Sequence, residues 1–418
     1  MTTQQTLQTE EYKQTELGEL PKEWSIEKIQ GLVEFERGAE PGSENYNDKG
    51  KGIRFLRVSD ISGNRKEFIF TTSNNIKKCS PENVLITFDG SPGIVKRGFT
   101  GAFSSGIRKV KLLTDSIDLD YVFYVLQTSF VQEMILKHST GVTIKHASKS
   151  IPHIKIPFPP LPEQQRIAYV LSTVQNAQEK TENYINSLKE LKKSTMKHLF
   201  TYGAVSFEDT DKVELKETEI GMMPKEWGVG KFEDIVIPQE KIEISSDSFV
   251  SFEHIQSGTG KLLGQASAKK FKTKTPFKKG TLLYGRIRPY LNKVWLAEFN
   301  GYCTNDIIRL NAKNSDINFV KYILLSDSFV NYATSKSQGT KMPRVKWEAM
   351  KVYPLSIPPL PIQQNIASIL SAIDEKIQTE EQKKEALKET FNSLLRDLMT
   401  AKIRVNNLKI SNNTNTKR

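Results

Sequence analysis

The chain carries the same succession of motifs twice, and this repeat constrains its fold more than any other feature. TELGELPKEW at residues 15–24 returns as TEIGMMPKEW at 218–227, with seven of ten positions identical. PPLPEQQRIAYVLS, which begins at Pro159, returns as PPLPIQQNIASILS, which begins at Pro358, with ten of fourteen positions identical. The blocks between these markers are far less alike. We therefore expect two copies of one architecture with different surfaces, related by an internal pseudo-twofold axis.

A helical pattern follows each PPLP motif. Proline at 162 and 361 suits the first turn of a helix, and apolar or small residues then recur at three- and four-residue spacing over about five heptads. If the first helix carries the chain from one block to the other, the second helix pairs most simply by returning beside it. The pattern thus predicts an antiparallel two-helix coiled coil. The alternative is that each helix packs only on its own block.

The predicted fold class is α+β, with two mixed α/β domains separated by that coiled coil. Within the blocks, short apolar runs predict strands at Ile53–Val58, Asn83–Phe88, Ile107–Leu113, Thr281–Tyr284 and Ile307–Leu310, and 119–138 and 317–334 predict helices. The expected segments are an N-terminal arm with the first repeat box (1–24), a first domain (25–158), a first helix (159–202), a linker with the second box (203–227), a second domain (228–357), a second helix (358–402) and a basic, disordered tail (403–418).

Basic charge is concentrated in the two blocks. The chain has 60 Lys and Arg against 48 Asp and Glu, a net charge of +12. Residues 25–155 carry +5 and residues 228–354 carry +9, whereas the remaining segments together carry −2. Two separate basic regions favour contact with a polyanion, although ordinary solvated lysines remain an alternative.

The sequence has none of the features that place a protein in or across a membrane. No apolar run approaches the roughly 18 residues of a membrane-spanning helix, and the first residues, MTTQQTLQTEEYKQTE, lack the basic start and apolar core of a secretion signal. The two cysteines suit a reducing compartment. We expect a cytoplasmic protein with no membrane partner.

The motifs of catalysis are also missing. The string SGTGKLLG at 257–264 lacks the first glycine of a P-loop, and the Pro-Pro sites read FPPL and IPPL rather than the tetrad of an amino-methyltransferase. The five histidines do not combine with Cys, Asp or Glu at metal-ligand spacing. We therefore predict no catalytic, cofactor-binding or metal site in this chain, while a nuclease site built from scattered carboxylates stays open.

Several clusters have the composition of a nucleic-acid interface. Arg286 and Arg288 alternate around Ile287 in YGRIRPYLNK, and arginine can donate two hydrogen bonds to guanine O6 and N7. Glycines in DGSPGIVKRGFTG allow close backbone approach in the first block. The run KKFKTKTPFKK at 269–279 interleaves lysines with aromatic residues and is typical of a surface that follows phosphates. The predicted DNA-binding residues are Ser91, Lys96, Arg97, Thr143, Lys145, His146, Arg286, Arg288, Tyr290, Asn292, Lys293, Gln338, Thr340, Lys341 and Arg344.

This arrangement resembles the specificity subunit of Type I restriction-modification systems. The alternating boxes and PPLPEQQRIA-type helices carry the resemblance over nearly the whole chain, together with IRFLRVSDIS in the first block and KKGTLLYGRIRPYLNKVWLAEFNGYCTNDIIRL in the second. The resemblance implies two target-recognition domains on an antiparallel coiled coil. One departure is that Glu163 is replaced by Ile362 in the second copy, which would make two docking sites inequivalent if this position touches a partner.

The resemblance also implies the function and the partners. The chain would be a non-catalytic DNA-binding subunit that recognises a bipartite site in double-stranded DNA, with one half-site per domain and a spacing set by the helices. Two modification subunits would bring S-adenosylmethionine and methylate adenine N6, and restriction/translocase subunits would bring ATP and Mg. The alternatives are the DNA-recognition subunit of a Type IIB enzyme and a coiled-coil scaffold that binds only protein.

Overall fold

The computed structural model describes residues 11–64, 67–142 and 145–408. The chain divides into two compact units. The first comprises the residues up to Thr181 together with those from Lys383 onward, and the second is Glu182–Gln382. Each unit therefore contains one block and a part of each long helix, so that the first unit is assembled from both ends of the chain.

The two long helices are Leu161–Tyr202 and Leu360–Met399. Within the first unit, Leu171 of the first helix and Leu395 of the second belong to one core cluster, and Gln178 Nε2 donates to the Leu387 carbonyl at 2.9 Å. Within the second unit, Lys189 Nζ lies 3.2 Å from Glu381 Oε1, and Lys192 Nζ lies 2.6 Å from Asp374 Oδ1. Because the partner's number falls as the first helix advances, the helices are antiparallel in each unit, which confirms the predicted pairing.

The first unit is a mixed α/β domain. Its short helices are Val58–Ile61, Leu119–Val125 and Ser129–Lys137. Its strands form a four-stranded antiparallel sheet, a five-stranded mixed sheet and three two-stranded pairs. These strands are Tyr12–Thr15, Gly18–Pro21, Ser25–Lys28, Val33–Arg37, Tyr46–Asn47, Ile53–Leu56, Ile69–Thr71, Lys78–Cys79, Leu85–Thr87, Asp89–Gly90, Val95–Lys96, Gly101–Phe103, Ile107–Leu112, Lys145–His146 and Lys155–Phe158.

The second unit repeats this plan. Its short helices are Phe232–Ile235, Ile317–Leu325, Asp327–Ser335 and Trp347–Met350. Its strands form two four-stranded sheets and two two-stranded pairs. They are Leu215–Thr218, Gly221–Pro224, Gly228–Lys231, Val236–Pro238, Ser248–Val250, Ala266–Ser267, Thr275–Phe277, Leu282–Gly285, Val294–Leu296, Gly301–Cys303, Ile307–Ala312 and Pro354–Ile357.

The order and direction of strands match between the units. In each, one sheet contains a single parallel pair, Ile53–Leu56 with Gly101–Phe103 and Ser248–Val250 with Gly301–Cys303. Glycine begins the second strand of both pairs because a Cβ at Gly101 would lie 2.4 Å from the Arg54 carbonyl oxygen, and one at Gly301 would lie 2.9 Å from that of Ser248. Close strand approach at this point thus accounts for a glycine in both copies.

The repeated boxes form a β-hairpin followed by a buried tryptophan. The hairpin turns at Gly18 and Gly221, whose φ angles of 104° and 103° favour glycine. Trp24 and Trp227 then enter the cores with 0% and 4% of their surface exposed. Each box therefore packs with the long helices of its unit, since Trp24 shares a core cluster with Ile167 and Trp227 shares one with Ile366.

The first glutamine of each PPLPxQQ motif fixes the start of a long helix. Gln164 Oε1 accepts from the Asp118 backbone N–H at 2.9 Å, and its Nε2 donates to the Pro159 carbonyl at 2.8 Å. Gln363 makes the same two contacts with Asp316 and Pro358, at 3.0 and 2.9 Å. Both aspartates cap the next short helix. A side chain with a donor and an acceptor is needed to join both backbones.

The position of Glu163 differs between the copies for a structural reason. The Glu163 carboxylate is buried and accepts from Trp24 Nε1 at 2.9 Å and from Arg404 Nε at 2.8 Å. Its counterpart Ile362 packs against the apolar core of the second unit. Glu163 thus belongs to the interior of the first unit, whereas Ile362 is only partly buried against the second core.

Several boundaries differ from those expected. The strand from Ile53 ends at Leu56 because the Asp60 carboxylate accepts from the Arg57 backbone N–H and begins a short helix. The helices expected at 119–138 and 317–334 are each split in two. Residues 403–408 are not a disordered tail, since Arg404 is buried in ion pairs and Val405 packs on the core. Residues 409–418 lie outside the described part, and the other domain boundaries stay predictions.

Candidate nucleic-acid interface

One hairpin loop of the second unit carries five of the predicted residues. It joins strands Leu282–Gly285 and Val294–Leu296 and is closed by a 2.8 Å hydrogen bond from the Gly285 N–H to the Lys293 carbonyl. We call residues 286–293 hairpin loop 2. The predicted residues on it are Arg286, Arg288, Tyr290, Asn292 and Lys293.

A second segment, residues 338–344, runs beside this loop, and we call it return loop 2. Its ends pair through reciprocal 2.9 Å hydrogen bonds between Gln338 and Arg344. The Arg288 N–H donates to the Pro343 carbonyl at 2.7 Å, which ties the return loop to the hairpin loop. The structure therefore brings Gln338, Thr340, Lys341 and Arg344 together with the residues of hairpin loop 2.

The side chains of this site divide into outward-facing and anchored groups. Arg288 and Tyr290 are exposed, Tyr290 to 54%, and within the described residues the Arg288 guanidinium has no hydrogen-bond or ion-pair partner. Arg344 Nε lies 3.4 Å and Arg286 Nη2 lies 4.0 Å from Asp306 Oδ1. These groups offer hydrogen-bond donors and an aromatic face to a ligand.

Asn292 and Lys293 have internal partners. Asn292 Nδ2 donates to the Leu325 carbonyl at 3.1 Å. Lys293 Nζ donates to the Phe252 carbonyl at 2.9 Å and lies 4.6 Å from the Phe252 ring centroid, and burial lowers the pKa of this ammonium. Both side chains anchor the hairpin loop, and their contact with DNA stays a prediction.

The backbone of hairpin loop 2 is left-handed at two non-glycine residues. Arg288 and Asn292 both have φ of 46°. Asparagine adopts this region readily, whereas a side chain such as arginine pays for it with about 1–2 kcal/mol. An exposed arginine held in a costly conformation, with its guanidinium directed to solvent, is typical of a functional position.

The first unit contains an equivalent but shorter hairpin loop, residues 88–94, which we call hairpin loop 1. Ser91 is exposed on it, and Lys96 is exposed on the strand that follows. Arg97 is instead turned toward the helix Leu119–Val125. It lies 2.6 Å from Asp120 Oδ1 and 4.2 Å from the centroid of the Phe123 ring. Of these three residues, Arg97 is the one already engaged within the domain.

Return loop 1, of which residues 140–142 and 145–146 are described, lies beside hairpin loop 1. Asp89–Gly90 pairs with Lys145–His146 as a short antiparallel ladder, and His146 Nδ1 is 2.8 Å from Asp89 Oδ1. Lys145 and His146 are exposed. Thr143, also a predicted residue, lies outside the described part of the chain.

The two sites have the same backbone. The Ala147 N–H donates to the Phe88 carbonyl at 2.7 Å in the first unit, and the Val345 N–H donates to the Arg286 carbonyl at 3.0 Å in the second. His146 therefore corresponds to Arg344, and Phe88 corresponds to Arg286. The two units therefore place different side chains on one backbone scaffold.

Three residues of these sites were not predicted from sequence: Asp89, Asp306 and Arg108. Arg108 is buried, with Nη2 at 3.6 Å from Asp89 Oδ2 and 2.9 Å from Ser148 Oγ, and burial lowers the pKa of its guanidinium. Clusters of basic residues are the sequence signal of a nucleic-acid interface, and acidic residues are not part of that signal. The sequence does offer one indication of Asp89, because this residue begins the glycine-containing string DGSPG.

The lysine run at 269–279 has a more limited role than its composition indicated. Phe271 stacks on Phe249 with ring centroids 3.6 Å apart, and Phe277 is fully buried. Its lysines are exposed. The aromatic residues thus belong to the packing of the domain, and the lysines alone can face phosphates.

The described residues contain neither a candidate metal site nor a candidate membrane-spanning helix. No group of three or more His, Cys, Asp or Glu side chains there has an arrangement that could hold a metal ion. No helix of the described part is both long enough and apolar enough to cross a membrane.

The fold and the paired loop sites define a class: duplicated α/β recognition domains carried on two antiparallel helices. A family model for the Type I restriction modification DNA specificity domain matches residues 21–192 and again residues 224–389. These two matches cover most of the chain, so the protein belongs to that family.

Curated relatives align with most of the chain. The chain is 26% identical to the Type I restriction enzyme MjaVIII specificity subunit of Methanocaldococcus jannaschii, over 96% of this chain and 97% of that one. It is 24% identical to the EcoDI specificity subunit of Escherichia coli, over 84% and 81%. It is therefore similar in length and organisation to both.

Solved structures share the fold. The S subunit of a Type I restriction-modification system from M. genitalium covers 90% of this chain, with 96% of its own length aligned, at a TM-score of 0.59 and 17% identity. A chain from a structure of the complex assembly and conformational transition of the type I R-M system covers 92%, with 99% of its own length aligned, at a TM-score of 0.50 and 13% identity. The predicted fold class and family are confirmed.

Proposed function

We propose that this chain is the non-catalytic DNA-recognition subunit of a Type I restriction-modification complex, and that it binds a bipartite site in double-stranded DNA. Each unit would read one half-site with its hairpin loop and return loop. The two long helices have residues in both units, so they are the elements that would set the spacer between the half-sites.

One observation carries this proposal: a single loop scaffold occurs twice with different side chains. Arg286, Arg288 and Arg344 offer donors suited to guanine in the second unit, where the first unit has Phe88, Gly90 and His146. A protein that bound only phosphates would not need two differently equipped sites. The basic charge of both blocks supports phosphate contacts around these loops.

The proposed partners supply the chemistry. Two modification subunits would bring S-adenosylmethionine for adenine-N6 methylation, and restriction/translocase subunits would bring ATP and Mg. Apolar side chains that remain exposed on the long helices are candidates for docking them. These residues are Tyr169, Tyr184, Leu191, Leu360 and Ile369, exposed to between 39% and 48%.

The decisive experiment maps methylated adenines in a host that expresses the modification subunits with and without this chain. We expect a two-part methylated motif that appears only with the chain. Exchange of residues 228–354 for the same block of a relative should change one half of the motif and leave the other. A change in both halves, or methylation independent of the chain, would contradict the proposal.

The purified chain provides a second test. Alone, it should bind duplex DNA with an affinity that falls steeply as salt rises, and it should show no methyltransferase, ATPase or nuclease turnover. Turnover that persists through further purification would contradict the non-catalytic role. Salt-independent or absent DNA binding would favour a scaffold that binds only protein.

A further inference from the structure

Each candidate interface contains one carboxylate in contact with its return loop. In the second unit, Asp306 Oδ1 lies 3.4 Å from Arg344 Nε and 4.0 Å from Arg286 Nη2. In the first unit, Asp89 Oδ1 lies 2.8 Å from His146 Nδ1, and its Oδ2 lies 3.6 Å from Arg108 Nη2. In both cases the carboxylate contacts the residue at the end of the return loop.

The two carboxylates come from different positions of the repeat. Strand pairing matches Thr87 with Ile107 in the first unit and Gly285 with Ile307 in the second. By this register Asp306 corresponds to Gly106, not to Asp89. The duplicated scaffold thus provides a carboxylate for His146 and for Arg344 from unrelated points of the chain, so inheritance from a common position does not account for it.

A negative charge on this surface opposes the attraction of phosphates, and therefore requires another role. An exposed arginine side chain has many rotamers, and fixing it costs about 1.5–2 kcal/mol of entropy. An acceptor on Arg344 Nε fixes the guanidinium and leaves both terminal nitrogens free to donate side by side, as guanine O6 and N7 require. An acceptor on His146 Nδ1 likewise leaves Nε2 of this exposed ring to face the ligand.

We propose that Asp89 and Asp306 are positioning residues that set DNA sequence specificity by orienting His146 and Arg344 toward base edges. This inference rests on the proposed function and extends it to two acidic residues. Under this inference the lysines and arginines supply affinity for any duplex. The two carboxylates supply discrimination between sequences.

Asp306→Asn is the sharpest test, because it removes the charge, preserves the shape and changes an exposed side chain. The full chain is used to select duplexes from a random-sequence library, and its affinities for a selected and an unrelated duplex are measured. We expect the half-site of the second unit to become degenerate and the ratio of specific to non-specific affinity to fall about ten-fold. Affinity for the unrelated duplex should stay equal or become tighter.

Matched variants isolate the effect. Glu298→Gln removes one exposed carboxylate from the same unit and should leave the selected motif unchanged. In an Arg344→Ala background, Asp306→Asn should have a much smaller effect, since the carboxylate acts through that arginine. Asp89→Asn should degrade only the half-site of the first unit; because Asp89 also contacts buried Arg108, His146→Ala serves as the second variant there.

Three results would overturn the inference. One is an unchanged motif and an unchanged affinity ratio in Asp306→Asn. Another is an equal loss of specific and non-specific affinity with a lower Tm, which would identify a merely structural role. The third is a wild-type chain that selects no motif at all, which would overturn the proposed function itself and is recognised because the unmodified protein fails.

Discussion

Arg404 and Glu163 form a buried ion pair between residues 241 positions apart in the chain. Arg404 Nε lies 2.8 Å from Glu163 Oε1, and the side chains are 9% and 4% exposed. Arg404 Nη2 also reaches Glu23 at 2.7 Å, and Glu163 accepts from Trp24. This pair joins the end of the second long helix, the start of the first and the first repeat box.

Breaking this pair should destabilise the first unit. Arg404→Ala leaves a buried carboxylate without its cation, which typically costs about 3–5 kcal/mol. Hydrogen exchange of peptides covering residues 12–28 and 161–175 should report the loss, because local opening free energies fall with it. The control is Arg396→Ala, an exposed arginine paired with Asp397, for which no measurable change is expected.

Replacing the pair as a whole should be tolerated better. Glu163→Ile with Arg404→Met gives the first unit the isoleucine that the second unit has at Ile362. Apolar replacement of a buried ion pair is often neutral or stabilising. We expect the double variant to recover most of the exchange protection lost in Arg404→Ala. If the double variant is less protected from exchange than Arg404→Ala, the ion pair has a role beyond charge compensation.

The adjacent glutamines of each QQ pair should differ sharply in importance. Gln164→Leu and Gln363→Leu each leave a part-buried backbone N–H without its acceptor. This typically costs about 1–3 kcal/mol, and calorimetry should show a lower Tm. Gln165→Leu and Gln364→Leu are matched controls, because these side chains are exposed. Equal effects at both positions of a pair would contradict the assignment of the first glutamine as the anchor.

Arg288→Gly should separate stability from recognition. Glycine relieves the left-handed backbone at φ 46°, so the Tm should be unchanged or higher. Loss of the guanidinium should weaken specific DNA binding by roughly 1–3 kcal/mol, which is about 5- to 160-fold. Binding titrations and calorimetry on the same preparation test both parts. A lower Tm with unchanged DNA affinity would reverse the interpretation of this residue.

Low pH should weaken the ion pairs that Glu36 forms with Lys109 and Lys111 in the first unit. Burial raises the pKa of Glu36, but hydrogen bonds from Lys109 and Lys111 outweigh it and hold the pKa below the ordinary 4.5. These contacts therefore stabilise the fold above that value, and their contribution is lost as pH falls through the lowered pKa. The difference in unfolding free energy between wild type and Glu36→Gln should shrink between pH 7 and pH 3. A constant difference would exclude the mechanism.

Lengthening both long helices tests their role as a spacer. A heptad inserted into each near its midpoint keeps the apolar register and adds roughly 10 Å at 1.5 Å per residue. The unread spacer should then grow by about three base pairs, at 3.4 Å each, or recognition should fail because the second half-site rotates away. Methylation mapping distinguishes these outcomes. Methylation of the original motif at its original spacing would show that another element sets the distance.

The repeat made the architecture predictable from sequence. Its identities pointed to shared internal contacts, and Trp24, Trp227, Gln164 and Gln363 now account for them through burial and backbone hydrogen bonds. The sequence also marks the point at which the expected helix 317–334 is split. Ser326 accepts from the Phe329 N–H and begins a new helix, which is the ordinary effect of a serine N-cap inside an apolar stretch.

The site was only partly predictable. Arg286 and Arg288 were found because they alternate within one string, and the structure places Arg344 beside them through the Val345 and Pro343 backbone contacts. The role of Asp306 depends on a strand register that brings it next to Arg286, and no local pattern marks it. Asparagine is a residue type that can read adenine, but the Asn292 amide nitrogen already donates to the Leu325 carbonyl.

The composition of the first unit has a consequence for the order of events during synthesis. Domains near the N-terminus normally fold first as the chain leaves the ribosome. Here the core of the first unit includes Leu395 and Leu398. The buried carboxylate of Glu163 also lacks its ion-pair partner until Arg404 has been synthesised. The contiguous second unit, Glu182–Gln382, can assemble while the first is still incomplete. We expect the N-terminal half to stay sensitive to proteases until translation has passed Arg404. The second unit would therefore fold before the first, although the first begins at the N-terminus.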